Sequence, residues 1–196
     1  MARSRPSGRR PVSRRVAAPE GATPAPGVGL APGPSLAAAT LPRVWQGIGY
    51  RPLPDTATAR PLFDFAAVSW PETVTPILGW GAYIVVGTEE RLVGAVVVER
   101  AEASVMLHGP VIGGDTADAF EVAAQLVAAA LDHASALGVE TVFARPQGLD
   151  RVWVRYGFIP VPEGALPGKL GHRPGAGLYA WRGGSALWTF REAARG

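Results

Sequence analysis

At 196 residues with 47% hydrophobic content, the chain is long enough to bury one core and carry a tail, and too short for several domains. The absence of cysteine excludes disulfides, thiolate metal sites and a cysteine nucleophile. The net charge of +3 hides an asymmetry: residues 1–43 hold seven arginines and one acid, Glu20, leaving 12 basic and 15 acidic residues in an acidic body that argues against a bulk nucleic-acid-binding surface there.

Residues 1–43 are Arg-rich, then Pro/Ala/Gly-rich, and show neither helical nor strand periodicity. They are expected to form a disordered arm and linker. Arg3, Arg5, Arg9, Arg10, Arg14 and Arg15 could meet an anionic partner, nucleic acid or membrane. No aromatic residues are interleaved for base stacking, so a solvated tail is the simpler reading. Ser13-Arg14-Arg15 has the look of a twin-arginine export signal. Pro19, Glu20, Pro24 and Pro26 interrupt the apolar run such a signal needs, and no stretch is long and apolar enough to span a membrane. The expected location is cytoplasmic, and a homo-oligomer is compatible with the sequence.

Residues 44–184 are expected to fold as one α+β domain, with 185–196 a C-terminal tail that has room for a short helix. Trp45 to Leu53 reads as a first strand. Asp55 to Trp80 reads as two short helices with Pro61 in a first turn. Ala82 to Val86 and Leu92 to Glu99 are β-branched runs joined by Gly87-Thr88-Glu89-Glu90, a hairpin signal. A polar link at Ala101 to Ala103 leads into a third antiparallel strand from Ser104. Val93 to Val98 is apolar on both faces, which places it centrally in a sheet.

Gly113 and Gly114 then stop the strand, and Phe120, Ala123, Val127, Ala130, Ala134 and Leu137 mark the apolar face of a helix of about six turns. Asp118 and Glu121 can form a capping box, Thr116 is an alternative cap, and Gly138 fits a left-handed stop. Glu140 to Ala144 as a strand, Gly148 to Tyr156 as a helix, and strands at Phe158 to Val161 and Leu178 to Arg182 complete the order. A strand-helix-strand crossover should set the Glu140 strand parallel to the Ser104 strand in a mixed, mostly antiparallel sheet flanked by helices.

This order resembles that of the GNAT superfamily of N-acetyltransferases over roughly Ile48 to Gly183. Val152-Trp153-Val154-Arg155-Tyr156-Gly157-Phe158 is similar to the family's Tyr-x-x-x-Gly-Phe helix ending, and Ala124 to Leu131 matches its usual apolar spacing. The resemblance implies transfer of an acyl group from acetyl-CoA or another acyl-CoA to a small-molecule or protein amine. It places CoA at the turn after the Ser104 strand, with Val111, Ile112, Gly113, Gly114 and Thr116 as candidate contacts. The family's Arg/Gln-x-x-Gly-x-Gly/Ala loop is not kept: Asp118, Glu121 and Ala123 stand at its basic and glycine positions. At ~5 Å and an effective dielectric of ~20, each carboxylate would oppose a phosphate charge by about 3 kcal/mol. The family's usual tyrosine proton donor is replaced by Trp153, whose indole N–H is no acid near neutral pH.

Within the resemblance His108 is the candidate general base and Tyr156 a substitute donor, with packing as the alternative role of each. Glu99 and Glu102 rank lower because hairpin ends are usually solvated, and His133 beside the apolar helix face reads as structural. Lys169, His172 and Arg173 fall in a loop that the family places near the acceptor, where a basic character suits an anionic substrate. Three scattered histidines without an i, i+4 pair predict no metal site. Two readings stand: an N-acyltransferase, or a GNAT fold that has lost catalysis and serves as a binding or assembly module without CoA.

Overall fold

A computed structural model describes residues 34–71, 76–114, 116, 118–170 and 177–182. The disorder expected for residues 1–33 and the short helix expected in 185–196 lie outside the described residues. The linker does not run featureless to residue 43. Ser35 Oγ accepts from Ala38 N at 3.3 Å and caps a single helical turn, α1 (Leu36–Ala39), whose Ala39 is fully buried.

The first expected strand is two: β1 (Arg43–Trp45) and β2 (Ile48–Pro52) pair antiparallel. Gln46 and Gly47 both take positive φ, 47° and 79°, the conformation of a two-residue hairpin turn, and this breaks the run. Among the described residues of the stretch expected to hold two helices there is one α-helix. Asp55 caps a 3-10 turn at Thr56–Ala59 that runs into α2 (Arg60–Phe65), with Pro61 in its first turn.

Strands β3 (Leu78–Val86), β4 (Glu89–Ala101) and β5 (Ser104–Ile112) follow as an antiparallel meander. Helix α3 (Ala119–Ala136) crosses over, and β6 (Thr141–Ala144) returns parallel to β5, as the crossover argument requires. After α4 (Asp150–Arg155) come β7 (Ile159–Pro160) and β8 (Tyr179–Arg182), giving, among the described residues, an eight-stranded sheet in the order β1-β2-β3-β4-β5-β6-β8-β7. All pairs but β5/β6 are antiparallel.

β4 is central and buried on both faces. Val96 and Val98 join Val105, Leu107 and the α3 side chains Leu126, Val127 and Leu131 on one side. Ala95 and Val97 meet Leu53, Ala59 and Phe63 on the other. Each fully buried leucine such as Leu126 or Leu131 contributes about 1.5–3 kcal/mol. The buried stripe of α3 is wider than the expected face, adding Val122, Ala124, Leu126, Ala129 and Leu131, because α1 and α4 cover its flanks as well as the sheet.

The α3 start makes half of the expected capping box. Asp118 Oδ1 accepts from Glu121 N at 3.0 Å, but Glu121 turns its carboxylate to Gln125 Nε2 (2.9 Å) and Arg155 (2.8 Å) rather than back to the cap. Thr116 does not cap the helix: its hydroxyl donates to the Gly113 carbonyl at 3.0 Å. Gly138, at φ 72°, ends the helix as expected. No helix among the described residues is long and apolar enough to cross a membrane.

His133, in the last turn of α3, accepts a hydrogen bond at Nδ1 from Trp80 Nε1 at 3.3 Å, with the rings edge to face. Accepting there requires the neutral imidazole, and burial holds its pKa below the ordinary 6.5. The unfolded chain therefore binds the proton first as pH falls, so this contribution is complete above about 6.5 and is lost as pH drops through the lower folded value. Between pH 7.5 and 5.5 the melting temperature should fall further in the parent than in His133→Gln, whose amide can still accept from Trp80. Parallel pH profiles would show that His133 titrates alike in both states.

Candidate active site

β5 and β6 are hydrogen-bonded only from Ser104↔Thr141 to Leu107↔Ala144. β6 then ends while β5 runs on to Ile112, so the two parallel strands part at their carboxyl ends, where crevices form in sheets with parallel pairs. At the same level β5 carries an extra residue. Val97 faces His108 and Ala95 faces Val111, two steps on β4 against three on β5. The insertion is Gly109-Pro110, a cis peptide with Gly109 at φ 89°. Because side chains alternate along a strand, one extra residue moves Val111 onto the face of His108. Simple alternation along the strand would put Val111 on the opposite face, and it fails there for that reason.

An open cleft lies at this bulge, lined by Trp70, Met106, His108, Arg145, Leu149 and Trp153 among others. His108 Nε2 is 2.7 Å from Glu99 Oε2. Glu99 is 0% exposed and the His108 side chain 11%. The low rank of Glu99 is thus corrected: β4 continues to Ala101 before turning, which puts Glu99 two residues inside the ladder, opposite buried Met106. A carboxylate so placed is tolerated only when hydrogen-bonded. As an acceptor it draws Nε2–H and leaves the Nδ1 lone pair free to take a proton.

Arg145, which the sequence reading did not single out, directly follows β6. Its side chain is 8% exposed, and it forms a two-pronged pair with Glu163 (Nη1–Oε1 and Nη2–Oε2, both 2.6 Å). The pairing holds the guanidinium pKa above, and the Glu163 pKa below, their ordinary values. The position was legible in principle as a charge at the carboxyl end of an apolar parallel strand.

Of the expected site residues that are among the described ones, His108 alone lines the cleft. Trp153 lines it too, buried and edge-on to Phe158 at 5.0 Å. Tyr156 caps the C-terminus of α4 with Arg155 5.8 Å from its ring and packs on the α3-side core. Val111 is core, and Ile112 packs against the opposite cluster. The Gly113 N–H donates to Val93 O at 2.7 Å, so the amides a ligand could meet begin at Gly114. Lys169 is 75% exposed, 3.9 Å from Glu102, and is not part of the cleft lining. His172 and Arg173 lie outside the described residues. Among the described residues no three His, Asp or Glu side chains are grouped to hold a metal.

No protein-family model matches the chain, and no curated protein does. Solved structures do. N-acetylglutamate synthase from Neisseria gonorrhoeae, complexed with coenzyme A and N-acetyl-glutamate, superposes with TM-score 0.51 at 16% identity over 71% of this chain and 35% of that one. Arabidopsis thaliana NAA60, in complex with a bisubstrate analogue, superposes with TM-score 0.50 at 16% identity over 70% of this chain and 99% of that one. A GNAT-family acetyltransferase from Staphylococcus aureus gives TM-score 0.45 at 12% identity over 54% and 66%. The chain spans about a third of the synthase's length. The chain has the GNAT acetyltransferase fold.

Proposed function

We propose that this protein is a GNAT-type N-acyltransferase that moves an acetyl or other acyl group from acyl-CoA to an amine. His108 acts as general base and Glu99 holds it. The supporting observation is the buried Glu99–His108 pair in the cleft where β5 and β6 part. As the amine nitrogen attacks the thioester carbonyl, its proton passes to His108 Nδ1, the C–N bond forms, and the C–S bond breaks to release thiolate. Trp153 cannot protonate that thiolate. The proton gained by His108 supplies it, which closes the cycle.

The residues that would hold CoA are Gly114, Thr116 and the first turn of α3. The acidic helix start opposes a pyrophosphate less than its sequence implies. Glu121 is neutralised by Arg155 at 2.8 Å, and Asp118 is turned onto the Glu121 amide. Beyond Leu107 the β6-facing edge of β5 has no strand partner among the described residues, which leaves backbone groups for an extended ligand.

The second reading, a binding or assembly module without catalysis, is favoured by the Gly113 amide already spent on Val93 and by Trp153 at the donor position. Acetyl-CoA binding separates the two. At 1 mM ligand a Kd of ~10 μM stabilises by about 2.7 kcal/mol, and a Kd of ~10 mM by less than ~0.1 kcal/mol. The expected result is a melting-temperature rise of several degrees, with free thiol released on adding amines. No shift with any acyl-CoA would retire the enzyme reading. A shift without thiol release across a broad amine panel would favour the module.

A further inference from the structure

Arg145 is more than a tether for the loop that carries Glu163. A guanidinium has five N–H donors in a fixed fork. Glu163 approaches end-on, one oxygen to each terminal nitrogen. The side edge, formed by Nε and one terminal nitrogen, remains, and Nε is buried without a hydrogen-bond partner among the described residues. The side chain is more than nine-tenths buried, yet Arg145 lines the same cleft as His108. Glu163 lies 61% exposed, where water and salt screen its charge.

We infer that the side edge of Arg145 is the binding point for a carboxylate on the acceptor, so that the substrate class is an amine that also bears a carboxylate. The geometry matches: a planar carboxylate accepts two parallel N–H bonds from such an edge, as Glu163 already does from the other. One substrate would span the cleft with its carboxylate at Arg145 and its amine at His108. This inference deepens the acyltransferase reading and rests on it for the amine, but carboxylate capture can be measured without turnover.

Trp70 and Trp153 line the cleft, so intrinsic fluorescence reports its occupancy. N-acetyl amino acids, which keep the carboxylate and lack the reactive amine, should bind, and their amides should bind far more weakly. Arg145→Lys keeps the charge and loses the fork, and should weaken acid binding roughly 10- to 100-fold without affecting the amides. Glu163→Gln should retain the preference for acid over amide. In turnover, Arg145→Lys should raise KM for amino acids and leave kcat within a few-fold.

Equal binding of acids and amides would overturn the inference, as would an Arg145→Lys loss shared by both ligand types or reproduced by Glu163→Gln. Turnover of amines with no preference for a carboxylate would also overturn it, while the acyltransferase reading would stand. Acid-selective binding with no turnover of any amine would uphold the carboxylate site and sink the acyltransferase reading.

Discussion

Replacing Glu99 by glutamine is expected to lower kcat by roughly 100- to 10,000-fold, the usual range for loss of a positioned general base, with little change in melting temperature. Glutamine fills the same buried volume. Its amide can, however, present N–H to His108 Nε2, which turns the imidazole to the tautomer protonated on Nδ1 and removes the lone pair the amine needs. His108→Ala should cost about as much. The double variant should be no worse than the poorer single one, because the two residues act as one unit. KM for acyl-CoA should be little changed, since neither side chain belongs to the α3 start. Full activity in Glu99→Gln, or losses that multiply in the double variant, would remove His108 from the role of base.

The sheet and its crossover helix were legible because both rest on periodicity. The three-and-four spacing along α3 and the two-sided apolar run Val93 to Val98 each admit one placement. The elements that shape the site depend on single residues against that background. Gln46 takes positive φ without being glycine, so nothing in composition announced the turn between β1 and β2. Gly109-Pro110 lies inside an apolar strand, where a one-residue insertion is invisible to pattern and flips every later side chain. Glu99 and His108 are nine positions apart and meet only because β4 and β5 pair in this register. Arg155 neutralises Glu121 from a different helix across 34 positions, a contact no local reading supplies. His108 is singled out by the resemblance, which points to its strand. Its partner escapes a reading of the sequence because β4 runs two residues past Glu99, the end of the run that marks it.

Gly109→Ala should then be the most damaging small substitution near the site. Gly109 sits at φ 89°, a conformation open to glycine and strained for any side chain. An added Cβ would stand 3.0 Å from both Ala95 O and Val111 N and 3.4 Å from Phe63 Cζ. The first two are backbone atoms of the ladder and cannot swing aside. Strain and overlap together should cost about 2–4 kcal/mol, a melting-temperature loss of about 5–15 °C for a domain of this size. Relief would come from withdrawing the bulge, which resets the register beyond His108 and swings the imidazole from Glu99, so activity should fall further than stability alone explains. Gly168→Ala, where a Cβ meets no atom of the described residues within 4 Å, is the control and should melt with the parent. If Gly109→Ala also melts within a degree or two of the parent with His108 activity intact, the bulge is not what aims His108 into the cleft.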